Sequence, residues 1–452
     1  MTASADDALA WAGVVGQRAA LSAGTTTSTA LVELVLARLA AAEPRLHVLT
    51  ALRSEAARSE AADADAARGR GDTRPLLGIP LLVKESHAVA GLPGGAQGTA
   101  SPPRNPERDA PLVAALRAAG AIVVGSTTMP ELALWPFGPA RNPWDPSRTA
   151  GGSSSGSAAA VAAGLVAVAT ASDGGGSIRI PASYCGLVGL KAAPGQLPGG
   201  GGWRGLSVDG VLTRSVTDTA MVLDALTGGN ALADVLAAPG RAPLRIGWSD
   251  RAPGPPHAGP DARAAVRETL GFLRAAGHVV EPVALPWRSA ALAFVPRYLR
   301  GAADDRARLV DPAAVDRRSA AVTRLGAAVP LRAVAAARRR GDMLAAGFRG
   351  LPYDLLLLPT TPTAAPAAAT AEGAAPLRTL LLANRAGPYT YPVNAAGLAS
   401  VSLPVTQTAT GLPIGVQLVA PDADLGRLVS VAAQLETAAR WTERRPPSAA
   451  GG

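Results

Sequence analysis

The order of apolar segments predicts an α/β fold, a parallel or mixed sheet with helices packed on its faces. Two observations carry that expectation. Short apolar runs such as Ile79–Val83, Ala121–Gly125 and Tyr353–Leu358 alternate with segments of helical period, which is the pattern of strands separated by helices. The chain also has 452 residues, 48% of them hydrophobic, ample material for a large buried core.

Taken in order, residues 7–24 and 28–43 read as helices. Thr27-Ser28 offers a cap, Leu31, Val32, Val35, Leu36 and Leu39 recur at helical spacing, and Glu43-Pro44 marks the expected stop. A third, more polar helix is expected over 51–70, so residues 1–75 form a helical lead-in to a main body at 76–445. The first strand, Ile79–Val83, ends in Lys84-Glu85. Most lysines lie at surfaces, so one reading is a solvated strand end. The other is an amine carried by the sheet into a pocket, where desolvation lowers its pKa.

Leu112–Ala119 then reads as a helix and Ala121–Gly125 as a buried strand. The following loops hold Met129, Trp135, Phe137 and Trp144, residues able to line a pocket or to fill a core.

The stretch from Asn142 to Lys191 organises the chain. Two serine-and-glycine turns, Gly151–Ser157 and Gly174–Ser177, flank an alanine-rich segment. Ordering such glycine-dense backbone is entropically costly and is tolerated where main-chain N–H groups must point at a ligand. Gly/Ser runs are more often linkers. Here the apolar flanks, Ala158–Val168 and Ile178–Leu190, argue against a tether.

Beyond it, Val211–Ser215 leads into a helix through Leu226, and Arg245–Trp248 is a strand. A helix spans Asp261–Gly277, with a strand from His278. Residues 288–349, rich in arginine and alanine, read as a helical excursion capping the sheet. Strand Tyr353–Leu358 stops at Pro359, and a proline-rich run to Pro376 follows. Tyr389, Tyr391 and Asn394 then precede strands at 399–404 and 411–419, a last helix at 425–440, and a disordered-type tail from Arg444, of which 446–452 lie outside the helix-and-strand body. With no internal repeat and no clean linker, a single large domain is expected.

Composition excludes several classes. The formal net charge is +9, but aromatics are only 4%, and the excess arginine is scattered over helices such as 332–340. No basic stripe interleaved with aromatics points to nucleic acid. Cys185 is the only cysteine and His47, His87, His257 and His278 show no ligand spacing, so neither a disulfide nor a metal site is expected. Without a basic leader or a long apolar span, the expectation is a cytoplasmic chain that needs no cofactor and no membrane.

At this point the residues resemble one family, the amidase signature hydrolases. The shared features run in order: the strand ending in Lys84, NPWDPSRTAGGSSSGSAAAVAAG, ASDGGGSIRIPASYCGLVGLK, DGVLTRSVTD, LLLLPTTP and GLPIGVQLVA. They cover nearly the whole chain. The resemblance implies a single α/β/α domain around a large mixed sheet, and hydrolysis of amides, with carbamates (urethanes) or esters sometimes accepted.

Carried over by motif, Ser177 would be the nucleophile, Ser153 a bridging serine on a cis peptide bond, and Lys84 the base. The main-chain N–H groups of Gly174, Gly175, Gly176 and Ser177 would form the oxyanion hole, with Ser154, Asp173 and Arg179 in support. Met129, Trp135, Phe137, Tyr389 and Tyr391 are the candidates for a substrate pocket. The expected partner is a small neutral amide, apolar or aryl, and the expected assembly a monomer or homodimer.

Three positions depart from the family pattern: Ser155-Gly156 where two glycines are usual, Glu85-Ser86 followed by His87 where Asp-Asn follows the lysine, and Gly174 in the second turn. They bear on the loop walls and so on substrate choice. A second member of the family, the glutaminase subunit of tRNA-dependent amidotransferase, is the alternative. Its basic-plus-glycine segment is absent from Arg338–Gly350. A non-catalytic relative of the fold would be expected to have lost Lys84, Ser153 or Ser177, and all three are present.

Overall fold

The computed structural model describes residues 5–238, 242–371 and 373–447. Eleven strands form one mixed sheet: β1 (Leu49–Leu52), β2 (Pro80–Lys84), β3 (Ile122–Thr127), and, after a small hairpin of β4 (Arg141–Asn142) and β5 (Asp145–Thr149), β6 (Val168–Asp173), β7 (Val188–Lys191), β8 (Val208–Thr213), β9 (Arg245–Trp248), β10 (Val279–Pro282), β11 (Leu355–Pro359), β12 (Ala399–Gln407) and β13 (Pro413–Ala420). Their spatial order is β1-β3-β2-β6-β8-β7-β12-β13-β11-β9-β10. β2 runs parallel to both β3 and β6, and β9 to both β10 and β11, while β6, β8, β7, β12 and β13 pair antiparallel in succession.

Alternation along the strands builds an apolar layer on each face. In β2, Leu81 and Val83 join one buried cluster and Leu82 the other; in β3, Val123 faces the first, Ile122 and Val124 the second. This is the period-2 signature of a strand buried on both sides, and it gives the α/β/α layering. Caps set several helix starts. Thr27 accepts from the Ala30 N–H at 3.0 Å, Ser215 from Asp218 and Asp316 from Ser319.

The structure differs from the sequence expectation in four places. Pro44 does not end its helix, which runs Ser28–Leu46 and stops at the left-handed His47; proline removes one N–H from the last turn, while buried Leu46 still pulls that turn inward. The lead-in is not wholly helical, because 49–52 is taken up as edge strand β1 against β3 and the next helix starts at Ser54. Pro376 opens a helix, Pro376–Ala386, since proline suits the first turn, where N–H groups lack partners. Arg444 is tied to the carbonyls of Pro404, Val405 and Ala439, so the chain is anchored there; residues 448–452 of the expected tail lie outside the described residues.

The excursion at 288–349 forms helices Ala290–Arg306, Arg317–Ala327 and Leu331–Arg349. Ala302 and Val322 of the first two, with Leu309 between them, share an apolar cluster with Leu132, Trp135, Trp203 and Leu206. The segment therefore walls a cleft as well as capping the sheet. Among the described residues no single helix is long and apolar enough to cross a membrane.

Candidate active site

Lys84 closes β2 and is fully buried. Its Nζ donates to Ser153 Oγ and Ser172 Oγ, both at 2.8 Å, and its main-chain N–H donates to Thr170 Oγ1 at 2.9 Å. Burial pushes the amine down to about 7, against the opposing pull of the Asp209 and Asp173 carboxylates. Of the two readings of a lysine at a strand end, the buried one is what forms.

Ser153 follows Gly152 across a cis peptide bond. Gly152 is required by close approach, because a Cβ there would lie 2.6 Å from the Trp135 carbonyl oxygen. Ser154 Oγ sits 3.4 Å from the Ser172 N–H and 3.5 Å from its carbonyl oxygen, linking the first turn to β6. Ser155, the extra side chain in the turn, is accommodated: its Oγ donates to the Thr128 carbonyl, and Gly138 leaves the space it fills.

The second turn is built on Asp173, wholly buried at the end of β6. Its carboxylate accepts from the N–H groups of Gly176 (2.7 Å) and Ile178 (3.2 Å), from Arg179 Nε (2.9 Å) and Nη2 (3.1 Å), and from Asn394 Nδ2 (2.9 Å). Burial disfavours its charge, but Arg179 and these donors outweigh burial and hold it far below the usual carboxylate range. Arg179 also reaches Gln417 Oε1, the Thr390 carbonyl and Asn394 Oδ1. Gly176 has φ +130, and a Cβ there would collide with Thr390 Oγ1.

Of the four main-chain donors expected at the oxyanion hole, the Gly176 N–H already has a partner in Asp173 Oδ1.

Ser177 is half-exposed where two cavities meet. One, about 250 Å³, is the more polar; its walls include Ser153, Ser172, Gly174, His87, Asp209 and Asp305. The other, about 350 Å³, is apolar; Trp135, Ile180, Phe294, Tyr298, Leu380 and Tyr391 line it beside Gly152 and Gly175. Trp203 separates the two, edge-on to Tyr298, with Phe294 packed against Tyr298 and Tyr391.

Of the five pocket candidates, Trp135 and Tyr391 line the apolar cavity and three do not. Met129 is buried in the core. Phe137 stacks on Trp135 without itself reaching the cavity. Tyr389 is fully buried, its hydroxyl donating to the Asp250 carbonyl and accepting from the Ala258 N–H, an anchor for a loop. Neighbouring aromatics of one motif thus point to opposite sides of the backbone, which spacing alone does not reveal.

Sequence reasoning missed Ser172 and Asp209, and gave His87 only as a departure from the family pattern. Thr170 Oγ1, which accepts from Lys84, pairs with His87 Nδ1 at 2.9 Å, and His87 Nε2 stands 3.1 Å from Asp209 Oδ1. Burial works against the Asp209 charge, but His87, the Gly200 N–H and Lys84 together hold its pKa below normal. The one available signal was the glycine run 199–202, whose Gly200 N–H binds Asp209 Oδ2 at 2.7 Å. A further regularity emerges with the structure: Lys84 and Lys191 are the only lysines in the chain, and both are fully buried. Lys191 Nζ donates to the carbonyls of Ala192 and Leu398.

Buried amine, two serines, glycine turns and a twin-chambered cleft define a hydrolase site of the amidase type. Residues 30–428 match the Amidase family, and the chain belongs to it. It is 38% identical to the protein named "Putative amidase AmiB2" of Mycobacterium tuberculosis, over 97% of this chain and 98% of that one. Among solved structures it resembles 6-aminohexanoate cyclic dimer hydrolase (28% identity, TM-score 0.84, 97% of this chain and 99% of that one). It also resembles peptide amidase from Stenotrophomonas maltophilia (28%, TM-score 0.77, 96% and 98%). A bacterial aryl acylamidase of the amidase signature family shares the fold (21%, TM-score 0.86). The chain is therefore an amidase, a hydrolase of amide bonds in small molecules.

Proposed function

We propose that this amidase acts on linear, neutral amides with an apolar or aryl group, through an acyl-enzyme on Ser177, with Lys84 as base and Ser153 as relay. The observation that carries the reading is a fully buried Lys84 whose Nζ lies 2.8 Å from Ser153 Oγ and whose pKa is pushed down to about 7. Near neutral pH such an amine is substantially unprotonated and can take a proton, which an ordinary lysine cannot.

In this mechanism Ser153 passes the Ser177 proton to Lys84, accepting one as it donates another. Ser177 Oγ bonds to the carbonyl carbon, and the oxygen gathers charge against the N–H groups of Gly174, Gly175 and Ser177. As the C–N bond breaks, the proton returns through Ser153 to the leaving nitrogen. Water then attacks the acyl-enzyme by the same relay, and Ser177 is released. Carbamates and esters fit the same sequence.

The apolar cavity supports the substrate class. Neither cavity is lined by arginine or lysine among the described residues, which disfavours the alternative, a glutaminase that must hold a free amino acid carboxylate. The test is turnover of an aryl amide, an aliphatic amide, an aryl carbamate and glutamine by the native enzyme and Ser177→Ala. Aryl or aliphatic turnover absent in the variant supports the reading. Turnover of glutamine alone, or turnover that persists in the variant, overturns it.

A further inference from the structure

We infer that the two cavities divide the substrate at the scissile bond: the acyl group enters the apolar cavity, and the polar cavity selects a leaving amine that carries a second, cationic nitrogen. The class named is a monoacylated diamine. The inference rests on the roles proposed above for Ser177 and Ser153, and adds orientation and charge.

Orientation comes from the relay. The group that returns the proton must stand beside the leaving nitrogen. Ser153 is a wall of the polar cavity and not of the apolar one. With the nucleophile at the junction, the nitrogen and its substituent lie on the polar side, and the acyl chain is left to Ile180, Phe294 and Tyr391.

Charge comes from the walls. The polar cavity is lined by two carboxylates, Asp209 and Asp305, with no arginine or lysine among its described lining residues. Thr170 Oγ1 accepts from the Lys84 N–H and lies 2.9 Å from His87 Nδ1, which fixes the ring against the cavity wall.

His87 is 6% exposed, and its Nε2, although 3.1 Å from Asp209 Oδ1, makes no aligned hydrogen bond. Asp209 Oδ1 takes no other hydrogen bond from the described residues, whereas Oδ2 is held by Gly200. Asp305 Oδ2 accepts from Trp203 Nε1, and Asp305 Oδ1 meets Arg308, whose side chain is 73% exposed. An ammonium group entering this acid-lined cavity would give Asp209 Oδ1 the aligned, charged donor that it has from no described residue.

The experiment compares matched amides with one acyl group and two leaving amines, butylamine and 1,4-diaminobutane. A reversed pair places the ammonium at the end of a hexanoyl acyl group instead. The expected result is a preference of about 10-fold or more in kcat/KM for the diaminobutane amide, carried mainly by KM and weakened by salt, and a penalty for the cationic acyl group. Asp209→Asn should erase the preference. Asp305→Asn, whose amide oxygen can still accept from Trp203, should reduce it. Because both readouts are ratios to the neutral amide, altered Lys84 basicity cancels.

Equal turnover of the two amines, or a preference unchanged in both variants, overturns the charge assignment. Preference for the cationic acyl group overturns the orientation. Either result leaves the amidase mechanism standing as long as the neutral amide is cleaved by a Ser177-dependent route. If no amide is cleaved by such a route, the mechanism falls and this inference with it.

Discussion

The turn pair and the helical cover meet at Ser177 and are held by opposite means. The turns are fixed by directional, fully buried contacts: Asp173 to Arg179, Arg179 to Gln417 and Asn394, Lys84 to Ser153 and Ser172. The cover over the apolar cavity is held by ring packing and runs out into solvent, with Val295 44% and Leu325 58% exposed among its lining residues. Hydrogen bonds specify angle as well as distance, so they can fix a proton path to tenths of an ångström. Apolar packing specifies volume and tolerates exchange of one side chain for another. On the proposed mechanism, chemistry and selectivity are carried by separable parts of one cleft.

That separation can be attacked most strongly at its centre. Ser177→Ala is expected to lower kcat by at least about 10⁴-fold while leaving the melting temperature nearly unchanged, as loss of a nucleophile does. Single-turnover assays and calorimetry on the same sample check both halves. A variant that keeps even a tenth of native activity would show that another group attacks the carbonyl.

Asp173→Asn tests the turns as structure. It leaves Arg179, fully buried, without its counter-charge, and removing one member of a buried pair costs about 3–5 kcal/mol. Urea unfolding should show a lower midpoint, with activity lost in proportion to the disordered turn.

Titration tests the amine. Activity should rise through a pH near 7 as Lys84 loses its proton, and level off above it. Lys191 is also pushed down to about 7, by burial first and then by Arg179. For both lysines the folded value lies below the 10.5 of an ordinary lysine, so between about pH 7 and 10.5 the unfolded chain binds more protons than the folded one. Their contribution to stability therefore rises with pH across that window. With only two lysines in the chain, nitrogen-15 lysine labelling resolves each amine directly. An amine signal at Lys84 titrating near 10 would remove it as the base.

Smaller effects mark the boundary between the two parts. Ser172→Ala removes one of the two side-chain acceptors of Lys84 Nζ and should lower kcat by about 10-fold with little change in KM, the size of one hydrogen bond to a charged group. Phe294→Ala enlarges the apolar cavity and should change the ranking of acyl groups by about 10-fold, with the pH profile unmoved. A shifted pH profile in Phe294→Ala would mean that cover and turns are coupled.

How much of this was legible beforehand follows from the kind of contact involved. Lys84, Ser153 and Ser177 sit inside local motifs, and glycine turns beside apolar segments announce themselves by composition. Strands β2, β3 and β11 are apolar runs of the right length. β1 was hidden because Leu49–Leu52 is too short to show a period, and pairing with β3 decided it. The Gly176 contact was hidden because no sequence pattern shows that Asp173 folds forward to accept from the N–H three residues on.

The sequence by itself determined the α/β class and the two glycine turns, and it marked Lys84, Ser153 and Ser177 as candidates, since each is written in a short contiguous stretch. Only the tertiary structure decided that Lys84 is desolvated, that Asn394 and Gln417 reach Asp173 and Arg179 from more than two hundred residues away, that Tyr391 faces the cleft while Tyr389 is buried, and that His87 meets Asp209. Those facts depend on which strands neighbour one another and on which way each side chain leaves the backbone. Burial and long-range pairing are properties of the assembled sheet, and no local pattern encodes them.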